Sequence, residues 1–293
     1  MYYRRKIFLA LLSSFEGNLN SVDFEKLLFL YCQFAKKNHY DFFPYKYGCF
    51  SHISYQDKRV LMKQGFLKES ETFVLAKKED YLQAVTDEDK ALLEKFSAQF
   101  RTCRGNALIK QTYLGYPHYA SKSEIAETVL DSEELAIVKT HNKRESKKTL
   151  FTLGYEGLTI DAYINKLITN NIAAVIDVRR NPLSMKYGFS KTKLKLYLEK
   201  AGIAYFHLPQ LGIESKLRKN LENPSDYKAL FEIYKNDHLP TKGEHLETIK
   251  KLLDEYKRAA LTCFEAEHSF CHRNKITEWL ENDDTFNEKI EHI

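Results

Sequence analysis

Apolar residues recur at helical spacing in the first part of the chain. They do so at 7–12 and again between Phe24 and Phe34, which predicts two helices that each bury a face. Ser21 to Asp23 precede the second run and are predicted to cap that helix. Further helices are predicted at about 55–64, 87–100, 107–120 and 123–131. Residues 1–140 are therefore predicted to form a separate, mainly α-helical N-terminal domain.

Two short segments interrupt this helical pattern. Residues 40–50 are rich in aromatic side chains and contain Pro44 and Gly48, which predicts a turn or a short extended segment packed on the helices. Residues 72–75 form a short β-like run.

After residue 148 the pattern changes to alternating strands and helices. The stretch 141–148 has no apolar residue and is predicted to be the linker. Such alternation favours a mostly parallel sheet with helices on both faces. Residues 149–293 are therefore predicted to form an α/β domain. Its predicted strands are 150–154, 173–178, 204–208 and 259–264, and its predicted helices are 158–170, 190–200 and 273–280.

Composition excludes several classes of protein. With 293 residues, 43% of them apolar and 29% charged, the chain is neither disordered nor collagen-like. The apolar run 7–12 is too short for a signal sequence or a membrane span, so no membrane contact is expected, and the expected location is cytoplasmic. Five scattered cysteines without a Cys-x-x-Cys pair are typical of reduced thiols in the cytosol.

Charge is distributed unevenly along the second half. Residues 171–220 contain ten Lys and Arg against three acidic residues, whereas from 221 onward sixteen acids outnumber ten basic residues. A basic segment of this kind predicts a polyanionic partner, but a solvated helix face would explain the same count.

The candidate functional residues follow the predicted strands. In parallel sheets, ligands bind beyond the carboxyl ends of the strands, where loops and helix amino ends face one crevice. The predicted catalytic residues are Glu156, Asp177, Glu265, Cys271 and His272. The predicted substrate- or phosphate-binding residues are Tyr155, Arg179, Arg180, Ser184, His207 and Arg273.

These residue types indicate anion binding combined with acid–base or thiol chemistry. Arg179 and Arg273 offer planar forks suited to phosphate. The carboxylates are suited to proton transfer or to stabilising a cationic transition state. Cys271 lies beside His272 and Arg273 at a predicted helix start, surroundings that lower a thiol pKa, so a nucleophilic thiolate is the competing mechanism.

Each of these residues also has a purely structural explanation. Asp177 can be a cap or the ion-pair partner of Arg179, Cys271 a small buried residue, and His272 a satisfied structural histidine. A divalent ion could be ligated by acids and histidines in these segments, namely Asp177, Glu265, Glu267, His268 and His272. Their spacing matches no standard zinc pattern, so neither a metal nor another cofactor is predicted.

Six motifs in the second half resemble the family called Domain of Unknown Function 488. The resemblance covers most of residues 149–282 and implies the same α/β fold and site, but the family has no settled reaction. The common Gly-His-Ser after the first strand is replaced here by Gly154-Tyr155-Glu156, so a role tied to that histidine is not carried over. The motifs are Thr152-Leu-Gly-Tyr-Glu-Gly157, Val175-Ile-Asp-Val-Arg179 with Pro182 and Ser184, Phe189-Ser190, Gly202-Ile-Ala-Tyr-Phe-His-Leu208 with Leu211-Gly212, Cys263-Phe-Glu265 and Cys271-His-Arg273.

The first half is similar, more loosely, to Panacea domains related to the SocA antitoxin adaptor. The similarity is carried by residues 24–31 and by the aromatic segment 42–51. It implies a helical domain associated with toxin neutralisation, adaptor roles and phage–host conflict. An aromatic helical core would explain the same residues without any such role.

The leading hypothesis is an enzyme that acts on a nucleic acid or nucleotide and cleaves a glycosidic or phosphoester bond. Its helical half would recruit the substrate or a protein partner. The enzyme would act in the conflict between a host and phages or mobile elements. One alternative is a noncatalytic adaptor or antitoxin-like protein that senses a nucleotide. Another is a transferase or hydrolase that depends on Cys271.

Overall fold

The computed structural model describes residues 1–77, 79–141, 145–214, 217 and 223–293. They form two compact units, Met1–Lys143 and Arg144–Ile293. Part of the predicted linker, residues 142–144, lies outside the described residues. So do Lys216, Arg218 and Lys219 of the predicted basic segment.

The first unit is mainly helical. The strand pairs β1–β4 and β2–β3 are antiparallel, and β2 and β3 form a hairpin in the aromatic segment. The predicted helices at 7–12, 24–34, 55–64 and 87–100 are confirmed, whereas the one predicted at 107–120 ends at Gly115, the one at 123–131 is a single turn, and α7 is not predicted. The described elements are α1 (Tyr3–Ser14), β1 (Asn18–Leu19), α2 (Ser21–Ala35), β2 (Phe43–Tyr45), β3 (Gly48–Phe50), α3 (His52–Lys63), β4 (Phe73–Val74), α4 (Asp87–Gln99), α5 (Gly105–Gly115), α6 (Ala126–Val129) and α7 (Ser132–His141).

The cap of α2 differs from the prediction. The side chain of Asn20 accepts a hydrogen bond of 2.8 Å from the backbone N–H of Asp23, and Ser21 is already the first helical residue. Asn20 provides the same kind of short polar acceptor one position earlier. The prediction that residues 21–23 cap the helix is therefore wrong, because the helix already begins at Ser21 and Asn20 is its cap.

Aromatic rings fill much of the core of the first unit. Phe24 stacks on Phe73 with ring centroids 4.0 Å apart, and Phe8 packs against Phe24 at 4.4 Å. All three side chains are fully buried. The aromatic residues of α1 and α2 therefore contribute to hydrophobic packing in this unit.

The second unit contains a five-stranded parallel sheet in the order β7-β6-β8-β5-β9. Its predicted fold class is confirmed. The described elements are β5 (Thr149–Gly154), α8 (Ile160–Thr169), β6 (Ala174–Asp177), α9 (Lys191–Lys200), β7 (Ala204–His207), α10 (Pro224–Ile233), α11 (Gly243–Tyr256), β8 (Arg258–Cys263), α12 (His272–Glu281) and β9 (Lys289–His292).

Helices cover both faces of this sheet, as predicted. Leu261 of β8 packs in one cluster with residues of α11 and α12. Thr262 points to the opposite face, because side chains alternate along a strand, and its hydroxyl accepts a 2.9 Å hydrogen bond from Tyr163 of α8. Strands β5, β6 and β8 are buried along their whole length, which explains their continuous apolar runs.

Helices α10 and α11 and strand β9 are not predicted. Leu246, Ile249 and Leu253 of α11 are buried at helical spacing, so a signal for that helix was present. Strand β9 has only four residues, and Lys289 and His292 at its ends are exposed. A short edge strand of this kind has no apolar run by which it could be recognised.

The topology brings three strand ends together. From β5 the chain passes to β6 and β7, and it later inserts β8 between β6 and β5. The carboxyl ends of β5, β6 and β8, at Gly154, Asp177 and Cys263, are therefore adjacent. Reversals of strand order of this kind open a crevice for ligands.

Within the described residues, no helix has both the length and the apolar character needed to cross a membrane.

Two histidines stack at the edge of this sheet. The ring of His292 in β9 lies on that of His268, with centroids 3.5 Å apart. Burial, helped by the charges of His292 and Arg273, lowers the pKa of His268 to about 4 against the opposing effect of Glu267 and Glu278. Burial also lowers the pKa of His292. Both imidazoles are therefore neutral in the folded protein at neutral pH.

The second unit is expected to lose about 1–2 kcal/mol of stability as the pH falls from about 6.5 to about 4, with allowance for partial exposure of the ring. In this window the unfolded chain protonates His268, whose ordinary pKa is about 6.5, whereas the folded state does not. The stability that depends on neutral His268 is fully present above about pH 6.5 and is lost as the pH falls to about 4. His268→Gln should flatten the pH dependence of urea unfolding, followed by the fluorescence of Trp279. His245→Gln is the control, and equal slopes for wild type and His268→Gln would contradict the assignment.

Candidate functional site

A pocket of about 380 Å³ opens where β5, β6 and β8 end. Five of the predicted site residues line it, and they come from three separate strand-end segments. Parallel strands place their carboxyl ends on one edge of the sheet, which explains this convergence. The five residues are Tyr155, Arg179, Arg180, Ser184 and Glu265.

Asp177 and Arg179 form a buried bidentate ion pair. Arg179 Nη2 donates to Asp177 Oδ2 at 2.6 Å, and Arg179 Nε donates to Oδ1 at 2.8 Å. The carboxylate also accepts from the Arg179 backbone N–H at 3.1 Å and from the Tyr205 hydroxyl at 2.6 Å. Asp177 is therefore fully engaged in holding its neighbours.

The remaining contacts of Arg179 lock its guanidinium in place. Nη1 donates to the Tyr155 hydroxyl at 2.8 Å and to the Phe189 carbonyl at 2.9 Å. Burial alone would lower the pKa of Arg179, but hydrogen bonds and attraction from Asp177 outweigh this and raise it. Arg179 was predicted to bind phosphate through its planar fork, and in the structure Nε and Nη2 bind Asp177.

Four groups capable of metal binding or thiol chemistry gather beside the pocket. Ligand atoms of Cys263, Glu265, Cys271 and His272 all lie within 4.8 Å of one another. Cys263 Sγ lies 3.1 Å from Glu265 Oε2 and 3.7 Å from His272 Nδ1. Cys271 Sγ lies 3.8 Å from the same nitrogen. The two thiols and the imidazole are buried, whereas Glu265 is partly exposed.

The two predicted strand-end motifs meet at this cluster. His272 Nε2 donates to the carbonyl oxygen of Val178 at 3.1 Å, and Val178 directly follows Asp177. Nε2 carries a proton in this contact because a carbonyl oxygen can only accept, and Nδ1 faces the two sulfurs. The motifs at 177–179 and 271–273 are thus neighbours.

The two thiols differ in acidity. Burial alone would raise the pKa of Cys263, but hydrogen bonding from Cys271 and the charge of His272 lower it well below its ordinary value. Burial and the negative charge of Cys263 raise the pKa of Cys271. The lowered pKa predicted for Cys271 is therefore wrong, because Cys263 is the thiol that these surroundings acidify. Burial and Cys263 also raise the pKa of Glu265.

The loop that carries Glu265 is held from several sides. Glu156 Oε2 accepts from the Ala266 backbone N–H at 3.0 Å. Arg273 Nη2 donates to the Glu265 carbonyl at 2.7 Å. A Cβ atom on Gly154 would lie 1.8 Å from that same carbonyl oxygen, so only glycine fits there. Glu156 and Arg273, predicted as catalytic and phosphate-binding residues, thus support the loop in this structure.

Arg273 is 1% exposed and does not line the pocket. Its Nε and Nη1 have no hydrogen-bond partner among the residues that the structure describes. A buried guanidinium with unused donors is unfavourable unless negative charge lies nearby. Its positive charge opposes the rise in the pKa of Cys271, and its Nη2 contacts the backbone carbonyl of Glu265.

The other predicted binding residues differ in access. Arg180 is exposed and makes a long contact, 3.4 Å, from Nη1 to the Pro209 carbonyl. The hydroxyl of Ser184 accepts from the Lys186 backbone N–H at 3.2 Å. His207 does not line the pocket, and its Nε2 donates to the Arg179 carbonyl at 2.8 Å. Arg180 is thus the arginine of this group that solvent reaches.

Six pocket residues were not predicted. Cys263 belongs to the motif Cys263-Phe-Glu265, and its position at a strand end was a usable signal. Leu183, Met185 and Phe264 are exposed at 84%, 105% and 44%, and single apolar residues in loops carry no such signal. The six are Asn181, Leu183, Met185, Ile213, Cys263 and Phe264.

Comparison with known proteins gives one family match. Residues 159–280 match the model of the family described as "Domain of unknown function DUF488". No curated protein and no solved structure matches the chain. Over residues 159–280, which include β6, β7 and β8 and most of the site, the chain is therefore similar to the DUF488 family.

Proposed function

We propose that the second unit is an enzyme that binds a nucleic acid strand or nucleotide in the pocket and cleaves a glycosidic or phosphoester bond. The observation that carries the proposal is the composition of the pocket wall. An exposed arginine, exposed apolar side chains, a carboxyl group and a thiol share one cavity of about 380 Å³. A nucleotide has the matching parts, an anionic phosphate and a flat apolar base.

The phosphate contact in this proposal is Arg180. The charge of Arg179 is balanced by Asp177 at 2.6 Å, whereas the guanidinium of Arg180 is exposed beside the cavity. Charge-assisted hydrogen bonds from arginine are among the stronger contacts to phosphate. Arg179 then acts as a rigid part of the wall and positions Tyr155.

The base contact is the apolar rim. Phe264 packs edge-on against Tyr155 at 5.4 Å and leaves part of its ring exposed. Leu183 and Met185 are exposed on the loop of the other wall. Stacking of a base on an aromatic ring contributes about 1–3 kcal/mol, so an extruded or single-stranded base would be the preferred occupant.

The position of helix α9 favours a nucleic acid strand, rather than a free nucleotide, as the ligand. Its first residue, Lys191, donates its backbone N–H to Pro182 at 2.9 Å, which ties the helix start to the pocket loop. Lys191, Lys193 and Lys195 are all exposed. Lys191 and Lys195 are one helical turn apart and share a face of α9, and positive charges in this position are suited to the phosphates of a continuing backbone.

The proposed reactive residue is Glu265. It is the carboxyl group that lines the cavity, and its loop is held by Glu156 and Arg273. A carboxylate beside the bond to be broken can orient an attacking water or stabilise a sugar-like cation. Glu265→Gln should retain oligonucleotide binding and stop product formation, measured by separating labelled oligonucleotide products on a denaturing gel.

Arg180→Ala is expected to weaken binding of a labelled single-stranded oligonucleotide about tenfold and to reduce the salt slope by about one, since one phosphate contact is lost. Fluorescence anisotropy at increasing salt measures both quantities for DNA and for RNA. Lys251→Ala removes an exposed positive charge elsewhere in the same unit and serves as the control. Absence of salt-dependent binding to either nucleic acid would reject the proposal.

For the first unit we propose recruitment of a protein partner, in line with its resemblance to Panacea domains. A cavity of about 230 Å³ there is lined by Tyr45, Tyr47, Phe50 and Tyr55, and Tyr47 is 48% exposed. If the protein is instead a noncatalytic adaptor, Tyr47→Ala should abolish its biological effect while Glu265→Gln leaves that effect intact. The opposite result supports the enzyme.

A further inference from the structure

The cluster of Cys263, Glu265, Cys271 and His272 has the dimensions of a metal site. In tetrahedral zinc sites, metal–sulfur bonds of about 2.3 Å and metal–nitrogen bonds of about 2.0–2.1 Å place sulfur and nitrogen ligands roughly 3.6 Å apart. Here His272 Nδ1 lies 3.7 Å from Cys263 Sγ and 3.8 Å from Cys271 Sγ. All four ligand atoms lie within 4.8 Å of one another.

The imidazole is already oriented as a ligand. Its Nε2 donates to the Val178 carbonyl at 3.1 Å, which leaves the Nδ1 lone pair directed at the sulfurs. Histidines that ligate metals commonly donate their other N–H to a backbone carbonyl or a carboxylate in this way. The contact comes from the residue that follows β6, a different strand from the one that carries Cys263, so the fold itself fixes the ring.

The charges also balance around a divalent ion. Two thiolates and one carboxylate contribute three negative charges, and a divalent ion with the buried guanidinium of Arg273 contributes three positive ones. Arg273 has Nε and Nη1 without hydrogen-bond partners in the described part of the chain, and its Nη2 donates to the Glu265 carbonyl. Burial of this many ionisable groups is unfavourable unless they are paired or bind a metal.

We propose that Cys263, Cys271, His272 and Glu265 bind a zinc ion. Thiolate and imidazole ligands select zinc over magnesium or calcium, which require oxygen ligands. Glu265 is the ligand that is partly exposed and it lines the pocket together with Cys263. The ion therefore lies at the pocket wall, with its carboxylate ligand toward solvent. This inference stands without the proposed substrate. A carboxylate bound to the ion is not free to act on a substrate, so zinc binding and the reactive role proposed for Glu265 are alternatives for this residue.

The first test is the metal content of the full chain, purified under reducing conditions without a histidine tag or chelator. Mass spectrometry should find about one zinc ion per chain. Zinc should be almost absent from Cys263→Ala, Cys271→Ala and His272→Ala, with affinity reduced by more than the roughly 10–100-fold that loss of an outer-shell partner causes. Cys103→Ala, which removes a partly exposed thiol of the first unit, should keep its zinc.

A second measurement does not depend on the folding of the variants. Cobalt added to chelator-treated wild-type protein should produce the thiolate-to-metal absorption and the intense visible bands of a tetrahedral site. Zinc should then displace the cobalt and abolish both. Wild-type protein that gives no thiolate–cobalt band, or zinc retained in full by Cys263→Ala, would overturn the proposal.

These results are separable from those on the proposed function. Arg180→Ala should bind zinc normally while it loses oligonucleotide affinity. Zinc binding without oligonucleotide binding would retain the metal site and reject the substrate, and the reverse combination would reject the metal site alone.

Discussion

Asp177→Ala is expected to lower the free energy of unfolding of the second unit by about 3–5 kcal/mol, because it leaves a buried cation without its partner. Arg179 is only 6% exposed, and Asp177 accepts from its Nε, Nη2 and backbone N–H. The hydroxyl of Tyr205 would lose its acceptor as well. Urea unfolding followed by fluorescence measures the change, and Trp279 of α12, the single tryptophan of the chain, makes the signal specific to this unit.

The double variant Asp177→Leu, Arg179→Met distinguishes a lost charge partner from lost packing. Replacing both members of a buried ion pair by apolar residues is often neutral or stabilising, so much of the lost stability should return. Asp284→Ala, at an exposed acid, should change stability little. If the single and double variants are equally unstable, the unpaired charge of Arg179 is not the cause.

The second large effect is expected for Gly154→Ala. The added Cβ would lie 1.8 Å from the Glu265 carbonyl oxygen and 3.0 Å from the Cα of Ala266, so the backbone of the loop must move. Overpacking of this kind costs about 1–3 kcal/mol. The displaced carbonyl is also the acceptor for Arg273 at 2.7 Å, so the pocket and the metal ligand Glu265 should be disturbed together.

Urea unfolding and zinc affinity measured on the same protein would show both consequences of Gly154→Ala. Gly243→Ala is the matched control, because a Cβ at Gly243 would meet nothing within 4 Å and the residue lies at the start of α11. Wild-type stability and zinc affinity in Gly154→Ala would contradict the role assigned to this close approach.

Much of the fold could be predicted because long buried elements leave periodic signals. The strands 150–154, 173–178 and 259–264 were recognisable from continuous apolar runs, since parallel strands are buried on both faces. Helix α11 has apolar residues at helical spacing, whereas strand β9 has no apolar run. The four residues of β9 are held in the sheet by pairing with β5, which lies far away in the sequence.

The candidate site was predictable in part for a related reason. Polar residues at the ends of parallel strands must lie on one edge of the sheet, so it could be expected that the segments 177–179 and 271–273 would be neighbours. The individual side-chain contacts within these segments could not be predicted. The engagement of Arg179 with Asp177, the burial of Arg273 and the acidity of Cys263 rather than Cys271 all depend on side-chain distances.

The sequence by itself determined two units of different class, a parallel sheet and the edge at which polar groups collect, because periodicity and burial are local properties of the chain. Only the tertiary structure decided which side chains line the same cavity and which form hydrogen bonds or ion pairs with one another. The insertion of β8 between β6 and β5 brings Cys263 close to His272 and to the carbonyl of Val178. Electrostatic and ligand geometry act over a few ångströms between residues far apart in sequence, so spacing along the chain could not reveal the cluster.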